Sequence, residues 1–438
     1  MEITVKGSSI ICPAQDTPKE RQWISNVDMV MTAYHVPLIY FYKPNGSSHF
    51  FDTQVLKEAL SKTLVSFYPM AGRLGSDENG RLEIVCNAEG VLWVEAETTS
   101  DIDDLGDFKP SLKLQQLVPL PNSGDSFSDP LFVAQITRFK CGGVCLGVGF
   151  NHTLADGTTI FHFVNSWSEL ARGLPQITEP PLIDRTLLRA RNPPTPKFHH
   201  VEYDPPPSLN TSFQPNPQVS VFKMTLDQLN TLKAKSLKNG STIKFSTYTI
   251  LVAYIWRCVS KARGLSDNQV TKLYMPTNGR PRLRPPLPSG YLGNVIFTAS
   301  LTALSGNLQS ESFMKTVERI HGALKSMDNE YLRSALDYLE TLADITSVRR
   351  GAHTFRCPNV NIINWTRLPL HGADFGWGRP IYMGPANVVY EGNIYIVPSP
   401  DSDGSLSLIA CLDASYMENF QKHLYQGLMS FDKIKARF

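Results

Sequence analysis

Two hydrophobic periods alternate along this chain. Residues 2–10 alternate well enough to predict a first strand, and Pro37-Leu-Ile-Tyr-Phe-Tyr42 predicts another. Val55, Leu56, Ala59, Leu60 and Leu64 recur at three and four, so residues 53–65 predict a helix with one buried face. Phe67 to Leu74 reads as a turn and a short extended piece, and residues 82–96 alternate around a Glu-Gly pair and predict a hairpin. Leu131 to Phe139 is rich in strand formers, Lys140-Cys-Gly-Gly143 supplies a turn, and Val144, Leu146, Val148 and Phe150 then alternate with Cys145, Gly147 and Gly149. That second strand has bulk on one face and almost none on the other, which permits close approach of another strand or a ligand. After Gly157 the period changes, and Ile160, Phe163, Val164, Trp167, Leu170 and Ala171 predict a helix ending near Gly173.

Residues 191–219 hold eight prolines in 29 positions, which excludes helix and central strand and predicts an extended crossover. The chain thus divides into residues 1–190, a linker at 191–218, and residues 219–438. In the second part, 225–238 and 245–262 predict helices, 270–276 a strand and 309–327 one long amphipathic helix. Strand patterns return at 388–397 and 405–411, before a helix at 415–430. Helices and strands mix in both halves, so the expected class is α/β with two domains. The length of 438 residues also suits two cores better than one.

Composition narrows the function. With 42% apolar and 19% charged residues the chain is globular, and a net charge of +2 carries no basic excess for nucleic acid. Pairs such as Lys233 with Lys235 and Lys261 with Arg263 read as solvated helix faces, or as contacts to the phosphates of a small ligand. Seven cysteines at no metal spacing read as small buried hydrophobes in a reducing compartment. No metal is expected. No signal core and no run of 18 apolar residues occurs, so a cytosolic monomer without membrane insertion is expected.

The chemistry concentrates in His152-Thr-Leu-Ala-Asp156-Gly157, where a strand ends and a helix begins. Histidine is the natural base near neutral pH. Asp156 either orients His152 or, if the intervening chain turns it away, binds a basic residue and holds the turn, while Gly157 relieves the bend. No Gly-x-Ser-x-Gly elbow and no cysteine dyad is present, which favours direct transfer over a covalent enzyme intermediate. A second patch, Ala373-Asp374-Phe-Gly376-Trp377-Gly378, predicts a tight loop, with Asp374 a candidate partner for Arg280. It is no kinase signal, because the accompanying glycine-rich and catalytic loops are missing.

Together the two patches resemble the plant BAHD acyl-CoA transferase family, which carries His-x-x-x-Asp-Gly near mid-chain and Asp-Phe-Gly-Trp-Gly near the C-terminus. The resemblance runs through Trp23-Ile-Ser-Asn-Val-Asp28, Phe67 to Leu74, Tyr291-Leu-Gly-Asn-Val295 and Arg350 to Pro400. It is nearest to the hydroxycinnamoyl-CoA branch, which includes shikimate and quinate transferases. Asn278-Gly-Arg280 departs slightly, since the family usually has Asp first. The resemblance implies two chloramphenicol-acetyltransferase-like domains with a channel at their interface, no permanent cofactor, and acyl-CoA as co-substrate. It implies that His152 deprotonates a small acceptor, that the Asp374 loop is largely architectural, and that Trp365 and Tyr248 line the reaction channel. Trp365 is the candidate oxyanion donor. Lys235 and Lys238 are candidates for the CoA phosphates.

The acceptor side departs from the shikimate-using relatives. Those proteins usually place threonine or serine where this chain has Val36, Leu38 and Ile363, and a second histidine at Thr153, yet the carboxylate-binding arginine is kept as Arg350. A carboxylated acceptor with a less polar, aromatic body reconciles these features, such as a hydroxyphenyllactate-like acid giving a rosmarinate-type ester. Shikimate or quinate is the alternative, and an amine acceptor is disfavoured because Arg350 has no acidic replacement. A member that binds ligand without catalysis is the rival of another class, and the intact His152 argues against it.

Overall fold

The computed structural model describes residues 1–32, 34–121, 125–209, 215–237, 244–399 and 403–428. Its frame is a pair of six-stranded mixed sheets. The first runs in the spatial order Thr4–Ile11, Val91–Glu97, Phe132–Arg138, Val144–Asn151, His35–Tyr42 and Tyr382–Pro385. The second runs Ile296–Leu304, Val270–Asn278, Val360–Asn364, Asn393–Pro398, Leu406–Asp413 and Pro217–Met224. One interior pair in the first sheet and two in the second are parallel. A three-stranded sheet of Glu20–Trp23, Leu82–Cys86 and Arg73–Ser76 flanks the first. The last strand of the first sheet comes from the far end of the chain, so residues 219–438 lend a strand across the division drawn at 218.

Helices Thr53–Ser66 and Gly157–Ala171 pack on the first sheet, each started by an aspartate that accepts backbone N–H groups, Asp52 and Asp156. Thr247–Ala262 covers the second sheet, capped by Ser246. The crossover is pinned to the helix Asn329–Thr341. The buried Asp337 accepts from the Arg191 backbone at 2.8 Å, its Nε at 2.6 Å and the Thr195 N–H at 3.0 Å. Ser334 Oγ accepts from the N–H groups of Lys197 and Phe198 at 2.8 and 3.1 Å.

Three local expectations change. Residues 82–96 form no hairpin, because Leu82–Cys86 pairs within the small sheet while Val91–Glu97 joins the large one. The long helix at 309–327 is two, Ser305–Ser310 and Phe313–Lys325, since Ser312 turns extended and caps the second through the Lys315 N–H. The strand expected at 388–397 is confined to Asn393–Pro398. The helix that ends the described chain spans Ala414–Gln426, and residues 429–438 lie outside the described residues. The bare face of Val144–Asn151 meets protein. A Cβ on Gly147 would stand 1.9 Å from the Leu117 carbonyl oxygen.

Candidate active site

A cavity of about 1270 Å³ lies between the two large sheets, and His152 stands in its wall. His152 follows the strand Val144–Asn151 directly, and its backbone N–H donates to the Tyr34 carbonyl at 3.1 Å. Its Nδ1 lies 3.1 Å from the Ala155 carbonyl oxygen. A carbonyl only accepts, so Nδ1 carries the proton and Nε2 keeps a free lone pair. Burial lowers the imidazole pKa below its ordinary value, and the charge of Arg350 adds to this against the opposing pull of Asp156. The ring is therefore neutral at physiological pH, as a base requires.

Asp156 does not touch His152. Its carboxylate takes both arms of the Arg280 guanidinium, at 2.7 and 3.1 Å, and accepts from the Val295 and Thr159 N–H groups at 3.0 and 2.9 Å. Burial alone would raise the Asp156 pKa, but Arg280 and these donors hold it below the usual carboxylate range. Arg280 also donates to the carbonyls of Tyr291 and Gly293 at 3.0 and 2.9 Å. The pair thus ties the start of the helix Gly157–Ala171 to the second half of the chain. Asn294 extends the tie, with Nδ2 donating to the His152 carbonyl at 2.8 Å and to Asp28 at 2.9 Å. Asp28 in turn pairs with the buried Arg185 at 3.0 Å.

The expected pairing of Asp374 with Arg280 is wrong. Arg280 is committed to Asp156, and Asp374 Oδ1 accepts from the N–H groups of Gly376 and Gly378 at 2.9 and 3.0 Å. Both glycines hold φ near +100°, at 100° and 107°, which a side chain would strain. Arg172 donates to the Asp374 carbonyl. Trp377 packs on Phe51 with ring centroids 5.2 Å apart, and Tyr42 donates to the Ala373 carbonyl at 2.8 Å. The loop rests on the first half of the molecule and does not line the cavity.

Val36, Leu38, Ile363, Tyr248, Trp365 and Arg350 all line the cavity with His152. Tyr248 donates to the Ile362 carbonyl at 3.3 Å. Trp365 stands edge-on to Tyr395 and Phe161, at 5.0 and 6.2 Å, and its indole N–H bonds to no other described residue. Arg350 is 9% exposed, and its Nη2 has no hydrogen-bond partner among the described residues. Thr153 is buried away from the cavity, so it does not shape the acceptor pocket. Of the two CoA candidates only Lys235 is among the described residues. Lys235 donates to the Gly427 carbonyl and is absent from the cavity wall, and Lys238 lies outside the described residues. The lysines and arginines that do line the cavity are Lys244, Arg282, Lys325, Arg350 and Arg367, with His321 in the same wall. Lys244, Arg282 and Lys325, scattered over 82 positions, gave no pattern along the chain. The pocket is also less apolar than expected, because Thr32, Tyr34, Asn361 and Asn393 line it too.

A neutral imidazole with its Nε2 lone pair free thus stands in the wall of a cavity between two mixed sheets. The chain matches the Transferase family over residues 1–426. It belongs to that family, the BAHD acyl-CoA-dependent acyltransferases. It is 55% identical to shikimate O-hydroxycinnamoyltransferase of Nicotiana tabacum, covering 97% of this chain and 100% of the relative. It is 50% identical to hydroxycinnamoyl-CoA:5-hydroxyanthranilate N-hydroxycinnamoyltransferase HHT4 of Avena sativa, over 96% and 99% of the two chains. Against rosmarinate synthase of Plectranthus scutellarioides the identity is 46%, over 97% and 100%. The fold is that of vinorine synthase, with a TM-score of 0.76 at 23% identity, covering 97% of this chain and 98% of the other.

Proposed function

We propose that this enzyme transfers a hydroxycinnamoyl group, p-coumaroyl or caffeoyl, from CoA to the hydroxyl of a small carboxylated acceptor with an aromatic body. In this reading His152 Nε2 takes the acceptor proton as the oxygen attacks the thioester carbonyl. The Trp365 indole N–H supports the oxyanion of the tetrahedral adduct. The C–S bond then breaks, and the CoA thiolate takes the proton from His152. Tyr248, Val36, Leu38 and Ile363 shape the channel around the reacting atoms. Lys244, Arg282 and Lys325 replace Lys235 as candidates for the CoA phosphates, beside Lys238. Residues 1–190 and 219–438 serve as the two acyltransferase domains, joined by 191–218, with Tyr382–Pro385 exchanged. Seven free cysteines support the cytosol as compartment, and a monomer suffices because both sheets that frame the channel come from one chain.

The observation that carries the acceptor assignment is Arg350. A guanidinium buried without an anionic partner is costly, and a ligand carboxylate supplies the missing partner in paired geometry. The cavity that Arg350 lines also carries Tyr34, Phe355, Tyr390 and Tyr395, aromatic surface suited to a ring. The relatives act on alcohols and an amine alike, so similarity does not choose. The test is a competition with one acyl-CoA and equimolar shikimate, quinate, 4-hydroxyphenyllactate, anthranilate and tyramine, the products being separated by mass. Hydroxyphenyllactate should lead, and Arg350→Ala should weaken its use at least about a hundredfold while sparing acyl-CoA binding. Preference for shikimate would remove the aromatic body from the assignment, and preference for tyramine would remove the carboxylate.

A further inference from the structure

Every backbone carbonyl from residue 152 to residue 155 has a donor. Asn294 Nδ2 donates to the His152 carbonyl at 2.8 Å and to the Thr153 carbonyl at 3.3 Å. Arg185 Nη2 donates to the Leu154 carbonyl at 2.7 Å. The Ala155 carbonyl takes the imidazole Nδ1 proton itself. The Asn294 amide fits only one way round, since the groups it meets are carbonyls and the Asp28 carboxylate, all of them acceptors. Asp28 grips it twice, with Oδ1 accepting from the Asn294 backbone N–H at 2.8 Å and from Nδ2 at 2.9 Å. Asp28 Oδ2 accepts from the Ser25 N–H and hydroxyl at 2.9 and 2.7 Å and pairs with Arg185 at 3.0 Å. Asn294, Asp28 and Arg185 are all buried, and none of them lines the cavity. They meet the reacting atoms only through the backbone that carries His152.

That backbone bears on the ring. Burial lowers the His152 pKa, and the strongest opposing pull comes from the residue's own carbonyl, followed by Asp156 and the Ala155 carbonyl, while Arg350 sides with burial. Asp156 is itself committed to Arg280. The His152 carbonyl therefore stands within reach of its own imidazole, and it is the same carbonyl that accepts from Asn294. An oxygen already engaged by a strong donor has less to offer a second one.

Resting on His152 as the proposed base, we propose that Asn294 is its positioning residue. Asn294 draws the His152 carbonyl away from the ring, so the Nδ1 proton stays on the Ala155 carbonyl and Nε2 stays aimed into the cavity. Asp28 fixes Asn294, and Arg185 fixes both Asp28 and the next carbonyl of the loop. Small misplacements of a reacting group cost up to about a hundredfold in rate, so a buried amide outside the cavity gains leverage on turnover.

The experiment uses two readouts on wild type and Asn294→Ala. Protein carrying isotope-labelled histidine is titrated by NMR, with the His152 signal identified by its absence in His152→Ala. In Asn294→Ala the freed carbonyl favours the charged ring, so His152 should titrate at higher pH than in wild type. Kinetics then use p-coumaroyl-CoA and whichever of the five acceptors above wild type consumes fastest. Asn294→Ala should lower kcat by about tenfold or more. Both KM values should stay within about threefold. Asp374→Ala is the control for simple destabilisation, because its loop lies off the cavity, and it should lower Tm with the His152 titration unmoved. If Asn294→Ala does not fold, Asn294→Ser keeps a shorter donor and should show the same shifts in smaller measure. An unmoved His152 titration in a folded Asn294 variant, or a kcat loss no larger than the loss of folded protein, overturns the role of Asn294 and leaves the base in place. Near-normal turnover in folded His152→Ala overturns the base and this proposal together.

Discussion

His152 combines a strand-end position, an Nδ1 proton fixed by the Ala155 carbonyl, and an Nε2 that faces the cavity. Its folded pKa lies below the ordinary histidine value, so the imidazole is already neutral at neutral pH, as the proposed base must be. The rate should rise as pH rises through that lowered value and stay flat above about 6.5. Arg350→Ala removes a positive charge that opposes protonation, so the acid limb should move to higher pH. A pH profile of kcat/KM on wild type and variant measures this, and an unmoved limb would separate the two residues. His152→Ala should fold normally and lose about 10²–10⁴ in turnover. Circular dichroism with a CoA-release assay checks both halves of that statement.

At the scale of elements, Asp156 and Asp374 hold backbone in place. Asp156 starts a helix and neutralises Arg280 in a site closed to water. Asp156→Asn leaves Arg280 buried without its countercharge, and should cost about 3–5 kcal/mol of stability at neutral pH. The folded Asp156 pKa is depressed, so its contribution is complete above about pH 4 and is lost as pH falls through the folded value. The variant's stability should therefore fall less steeply on acidification, which denaturant titration at two pH values reads directly. Asp374→Ala frees the Gly376 and Gly378 N–H groups and should lower Tm together with activity. Full stability with abolished turnover would instead give Asp374 a chemical role. A third buried cluster, Ser334 with His200 at 2.9 Å and His200 with Glu202 at 3.1 Å, has the order of a nucleophilic triad. Its members are 0–5% exposed and Ser334 already serves the crossover backbone, so it clamps the linker and has no access to substrate.

At the scale of the whole molecule, the halves are interlocked. Tyr382–Pro385 closes the first sheet, Arg280 reaches Asp156, and Asn294 reaches the His152 carbonyl. Neither half can unfold without opening the other's core, so calorimetry should show one cooperative transition. Two resolved transitions would contradict the interlock. The same interlock forms the cavity, whose wall draws on both sheets.

By itself the sequence determined the elements whose periodicity is local. The helices at 53–66 and 157–171 and the strands around the Gly142 turn follow from spacing and caps within the same segment. It also marked His152, because a strand end, a glycine and a helix start lie within a few residues. Partners distant in sequence were decided only by the tertiary structure. Nothing local shows that Arg280 answers Asp156 rather than Asp374, since charge specifies a kind of partner and not its place. The split of 82–97 between two sheets depends on which neighbouring strand offers open hydrogen bonds. The cavity wall likewise mixes Val36 and Ile363 with Asn361, and Tyr274, Asn361 and Asn393 become neighbours only when parallel strands from residues 270–398 are laid side by side in register.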